Sequence, residues 1–223
     1  MVSIDTVYQK VLTFANKEQR GYITPQEFNL FADQAQNEIF EQYFYDLNQY
    51  SRNPEGTEEY SDIISNINEK IVPFEKTSNI ISGVISANDL YRLGTVVSEG
   101  YIRVEEVQQD KIYYILNSPL TKPTFDRPIY IRTSANSITT HPNLTDVTCN
   151  YIKKPEKPNW GYVVLDGKAM FDSINASNFE LHPSEENELV YKILKFAGIT
   201  IKQDYVAKAG AALEQAQVKS EKQ

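Results

Sequence analysis

The chain has 223 residues, 41% of them hydrophobic, enough to bury a core as one domain or as two small ones. Thirty acidic residues against 22 basic give a net charge of −8, which argues against a nucleic-acid binder that displaces counterions with a basic surface. No apolar run approaches the length of a membrane span, so no membrane partner is expected, and MVSIDTVYQK lacks the features of a secretion signal.

The first third reads as helix. Ile4, Val7, Val11 and Ala15 mark one amphipathic stripe, widened by Tyr8 and Leu12. A second helix is predicted from Thr24 to about Tyr50, with Phe28, Phe31, Ala35, Ile39, Tyr43 and Leu47 at spacings of three and four. Its start admits two readings. Aligned on Gly21, residues 16–27 put Ile23 and Glu27 where a calcium loop wants an apolar residue and a bidentate carboxylate. The same alignment puts Arg20 among the ligands, and a guanidinium has no lone pair to give a hard cation. Thr24, Pro25 and Glu27 instead fit a capping box, with Thr24 as N-cap, Pro25 at N1 and Glu27 reaching back. A third helix begins near Glu58, carries Ile63, Ile64, Ile67 and Ile71, and stops at Pro73.

From about Asn79 the period changes. Candidate strands are 80–85, 90–97, 101–107, 111–116, 128–133, 137–141 and 147–152, divided by turn residues such as Glu99-Gly100 and Pro142-Asn143. They suggest an antiparallel sheet or small sandwich. Cys149, the single cysteine, sits in an alternating strand and reads as a core residue of a protein kept in a reducing compartment. Lys153 to Pro158 reads as a proline-stiffened, solvated loop. Helix returns after Pro183, with Leu189, Val190, Ile193, Leu194 and Ala197 on one face and an end or bend at Gly198. An Ala-rich, weakly apolar helical stretch, 199–218, follows. The expected fold is therefore α+β: a bundle of N- and C-terminal helices (residues 1–75 and 181–223) around a central antiparallel β-rich region, 76–180.

No phosphate-binding, zinc-binding or nucleophile-elbow motif is present, and both histidines, His141 and His182, precede prolines. Pairs such as Asp62 with Glu69, or Glu105 with Glu106, read as solvated faces of an acidic chain. We expect no catalytic residues, no cofactor and no metal.

Three segments carry a resemblance: ANKEQRGYITPQEFNLFADQAQNEIFEQYF at 15–44, VTCNYIKKP with PNWGY at 147–162, and FELHPSEENELVYKILKFAG at 179–198. They resemble virion proteins of crAss-like and related tailed phages, in particular head-to-tail adaptor or ring proteins similar in layout to the podoviral tail tubular protein A family. That resemblance implies a helical bundle with a β-rich insertion. It also implies a structural protein of the virion neck, made in the host cytoplasm, forming a dodecameric ring on the portal. Its partners would be sister subunits, the portal and other neck or tail rings, with genomic DNA passing through unbound. An auxiliary capsid or cargo protein of the virion is the alternative, and a calcium module the least favoured one.

Fifteen tyrosines and ten phenylalanines suit a subunit with interfaces on both sides. The candidate interface residues are Phe40, Tyr43, Phe44, Tyr45, Trp160, Tyr162 and Tyr205.

Overall fold

A computed structural model describes residues 1–16, 23–51, 58–200, 210–216 and 219. The chain divides into two compact units. Unit 1 comprises Met1–Pro73 with Pro155–Gln223, and unit 2 is Phe74–Lys154.

Unit 1 contains α1 (Ile4–Asn16), α2 (Pro25–Ser51), α3 (Glu58–Ile71) and, from the other end of the chain, α5 (Glu186–Thr200). Both α1 and α2 pack on α5, and α3 packs on α2. The reason is visible in the spacing: Ile4, Val7, Val11 and Ala15 of α1 are buried together with Tyr8. Along α2 the buried series runs Phe28, Ala32, Ala35, Ile39, Tyr43, and its two alanines let a neighbouring helix approach closely. Leu189, Val190, Ile193, Leu194 and Ala197 supply the face of α5. That helix continues past Gly198 to Thr200, so the expected stop at Gly198 does not occur.

A polar clamp ties the returning chain to α2. Gln36 is fully buried. Its Nε2 donates to the Glu156 carbonyl at 2.8 Å, and its Oε1 accepts from the Glu180 amide at 3.1 Å. Both ends of one amide are thus satisfied where no water reaches, which fixes two loop segments at once. Within the same unit, β8 (Tyr162–Leu165) and β9 (Lys168–Phe171) form a separate two-stranded hairpin.

Unit 2 is a closed barrel of seven strands. They are β1 (Glu75–Ile81), β2 (Val84–Ile85), β3 (Leu90–Ser98), β4 (Ile102–Glu106), β5 (Ile129–Ser134), β6 (Ser137–His141) and β7 (Val147–Lys153). Around the barrel the order is β1-β2-β6-β5-β4-β3, closed by β7 between β3 and β1. Six strand pairings are antiparallel, and β4 runs parallel to β5 with Glu105 opposite Ile129 and Glu106 opposite Tyr130. Alternation on β7 sends Val147, Cys149 and Tyr151 inward, where they meet Ile80, Val96, Val104, Tyr130 and Ile138.

This architecture overturns the expected fold class. The protein is not a helical bundle carrying an antiparallel insertion, because its strands close on themselves as a mixed barrel. One local misreading contributes to it. Residues 111–116 were expected as a strand, but Ile112–Asn117 forms a helix, α4. Ile112, Ile115 and Leu116 stand at helical spacing and pack on Ile129 and Ile131, while Tyr113 and Tyr114 face outward. A helix between β4 and β5 provides the crossover that a parallel pair requires, whereas a strand there would have kept the run antiparallel. Covered by the barrel core on one side and α4 on the other, β5 buries Ile129, Tyr130 and Ile131 in succession.

The predicted strand 80–85 is in fact a tight hairpin. Ser82 and Gly83 both have positive φ, and Ile80 pairs with Ile85 across them. Gly83 also lies against β6, where a Cβ would stand 2.5 Å from the Ile138 carbonyl oxygen. No other residue type fits that approach.

Candidate functional site

The start of α2 shows how Glu27 is used. The Thr24 amide and the Thr24 hydroxyl donate to the same Glu27 oxygen at 3.0 and 2.8 Å, and the Glu27 amide donates back to Thr24 Oγ1 at 3.3 Å. Those bonds from the Thr24 backbone and side chain hold the Glu27 carboxyl below its ordinary pKa. Pro25 occupies the first helical position, where no amide hydrogen is needed. The carboxylate that a calcium loop would need is already engaged by its own helix cap. Gly21 and Arg20 lie outside the described residues.

The aromatic candidates separate by burial. Phe40, Tyr43 and Phe44 are buried in unit 1, with Phe40 and Phe44 in an edge-to-face contact at 5.1 Å. Trp160 is buried as well and forms the centre of a web: Tyr8 lies 4.2 Å away, Phe171 5.7 Å, and Tyr162 stacks at 5.9 Å. Its indole N–H donates to Asp5 at 3.0 Å, and its backbone N–H and carbonyl both bond the Asn29 side chain. Rings used this way hold unit 1 together. Tyr45 differs, being 68% exposed on α2, and Tyr162 is half-buried with its hydroxyl accepting from Gln26 at 3.3 Å. Tyr205 lies outside the described residues.

Among the described residues, exposed apolar side chains cluster at one surface on each unit. On unit 1 the β8–β9 hairpin exposes Val163, Val164, Leu165, Met170 and Phe171, and Ile174 beyond it is 90% exposed. Among the described residues its strands pair with each other alone, Tyr162 opposite Phe171 and Leu165 opposite Lys168. A lone two-stranded ribbon has little stability of its own, and such a cluster of exposed aliphatic side chains marks an interaction surface. On unit 2 the β4–β5 crossover exposes Tyr113, Tyr114, Leu120 and Phe125. Neither surface was named from the sequence. The hairpin had a readable signal, because Asp166-Gly167 between two short apolar runs is the residue pair that a two-residue turn demands.

A cluster of charged side chains lies on α5. Lys192, 4% exposed, is surrounded by Glu214 at 2.7 Å, Glu188 at 3.6 Å and Glu38 at 3.9 Å. Burial alone would pull its ammonium pKa down, but the hydrogen bond and charge of Glu214, with Glu188 and Glu38, hold it above the ordinary lysine value. Glu214 is likewise pushed up by burial and pulled further down by Lys192 and Lys195, so its carboxyl ends below its usual range. The cluster fastens the helical segment 210–216 to α5 and α2. It has the form of a structural ion network.

Among the described residues no group of three or more histidine, cysteine, aspartate or glutamate side chains is placed to hold a metal ion, and no helix is long and apolar enough to cross a membrane. No protein-family model matches the chain, and no curated protein matches it.

Proposed function

We propose that this chain is a structural virion protein of a tailed phage, a head-to-tail adaptor that forms a ring between portal and tail around the DNA channel. The observation that carries this reading is the exposed apolar surface on each unit, at the β8–β9 hairpin and at the β4–β5 crossover. Side chains such as Val164, Leu165, Tyr114 and Leu120 make no core, and a ring subunit needs surplus surface of this kind for two different neighbours. The sequence segments at 15–44, 147–162 and 179–198 supply the phage context. The helical-bundle layout implied by the resemblance does not support the reading, since unit 2 is a closed mixed barrel. An excess of acidic over basic residues suits a channel through which DNA must slide without adhering.

An auxiliary capsid or cargo role would use the same surfaces and is the second reading. Cryo-electron microscopy of purified virions decides between them. A density ring at the neck that accepts this barrel and these helices is the expected result. Location in the capsid shell or a tail fibre, or absence from the particle, overturns the adaptor reading.

A further inference from the structure

We propose that the outer edge of β9 is a pairing site for a second copy of this chain, joining two β8–β9 hairpins across a two-fold axis into one four-stranded antiparallel sheet. The edge follows from the turn. Asp166 and Gly167 both have positive φ, so Leu165 and Lys168 close a two-residue hairpin as a hydrogen-bonded pair. At the other end of the ribbon the Asp172 amide donates to the Gly161 carbonyl at 2.9 Å. Alternation between these two fixed points turns the backbone N–H and C=O of Ala169 and Phe171 away from β8. Among the described residues no strand pairs with that edge.

The edge is self-complementary about Met170. In an antiparallel register centred there, Lys168 stands opposite Asp172 of the second copy, Ala169 opposite Phe171, and Met170 opposite its own equivalent. A lysine at a free edge ordinarily discourages pairing, but here each copy's lysine meets a carboxylate. Asp172 already accepts from the Ile174 amide at 3.0 Å and the Asn175 side chain at 2.7 Å. A carboxylate has about four lone-pair sites, so it can still take an ammonium. The Ala169–Phe171 pairs exchange the outward backbone bonds and set a ring beside a small side chain. The ribbon is apolar on both faces, with Val163, Leu165 and Met170 on one and Val164 and Phe171 on the other, all exposed. Two strands alone are marginal in water, and a sheet of three or more with an apolar face is not. An isologous contact of this kind closes at two copies.

This pairing goes beyond the adaptor reading and does not rest on it, so the free full-length chain tests it. Sedimentation velocity over a concentration series is expected to show exchange between monomer and dimer. Lys168→Glu sets like charges opposite each other in both cross-strand pairs and should weaken the dimer about tenfold or more. Asp172→Lys should do the same. An equimolar mixture of these two variants restores opposite charges in both pairs, so a heterodimer should form about as tightly as the wild-type dimer. Ala169→Pro deletes an outward amide without touching the β8 ladder, and loss of the dimer is expected. The proposal is overturned by a wild-type chain that stays monomeric up to about 0.5 mM, or by a dimer that Lys168→Glu or Ala169→Pro leaves intact. It is equally overturned by a mixture of the charge variants, each melting as wild type does, that associates no more than either alone.

Discussion

Tyr130 and Glu106 face each other across the parallel step of the barrel, and the Tyr130 hydroxyl donates to Glu106 Oε2 at 3.1 Å. Burial first, then the Glu106 charge and hydrogen bond, push the Tyr130 hydroxyl up to a pKa of about 12. A raised pKa means the folded state prefers the neutral phenol. Its contribution is therefore complete below the ordinary tyrosine value and fades as pH rises toward the folded one. Tyr130→Phe is expected to cost about 0.5–1.5 kcal/mol at neutral pH. In urea unfolding at rising alkaline pH, the gap between wild type and variant should narrow. A gap that stays constant refutes the assignment.

The α2 cap is tested at its other partner. Thr24→Ala removes both a donor to Glu27 and the acceptor for the Glu27 amide, and should lower stability by about 0.5–2 kcal/mol. Since the Glu27 pKa is lowered in the fold, this stabilisation is present above the ordinary glutamate range and is lost as pH falls through the lowered value. Thermal unfolding of wild type and Thr24→Ala should thus converge in acid. Added calcium should shift neither curve.

Lys192 should be hard to replace. Lys192→Met takes the ammonium away from buried Glu188 and leaves half-buried Glu214 with Lys195, at a cost of about 3–5 kcal/mol. Two pH limits follow from the signs. With Lys192 raised, its share is lost as pH climbs through the folded lysine value. With Glu214 lowered, its share is lost as pH falls through the folded carboxylate value. Calorimetric melts of the variant should recover part of the deficit at acid pH, where the carboxylates protonate.

Cys149 reports on the barrel alone. Its thiol lies in the barrel core against the Ser78 carbonyl, and burial raises its pKa. An aromatic disulfide reagent should leave it unmodified in the native protein and react once per chain in denaturant. Fast native labelling would mean that the barrel opens at low cost.

The hairpin is the assembly test. Val164→Asp changes an exposed side chain, so unfolding free energy should move by less than about 0.5 kcal/mol. If the proposed adaptor role holds, incorporation into virions should drop sharply. Normal incorporation of a correctly folded Val164→Asp protein removes β8–β9 from the list of contact surfaces.

Much of unit 1 is legible in the sequence because helical periodicity is a local signal. Ile4, Val7 and Val11, or Leu189, Val190 and Ile193, announce their own faces. Polar β1 is less visible: Glu75-Lys76-Thr77-Ser78 has no apolar alternation and is a strand because β7 pairs with it residue for residue. Closure of the barrel depends on β7 finding both β1 and β3, a relation between segments far apart in the chain. The roles of Trp160 and Gln36 are hidden for the same reason, since Asp5, Glu156 and Glu180 are remote from them in sequence. Phe40, Tyr43, Phe44 and Trp160, expected at an interface, are buried in unit 1, a depth that residue type and spacing do not reveal.

The pairing of Glu75 with Ile152 has a genetic consequence. Barrel strands β1 and β7 begin and end side by side, so the chain leaves unit 1 and rejoins it across a gap of about one strand spacing, roughly 5 Å. Pro73 and Pro155 stand just outside the two junctions. Residues 74–154 therefore form a cassette that recombination can delete, exchange or graft elsewhere, with only a short turn needed to reseal the host unit.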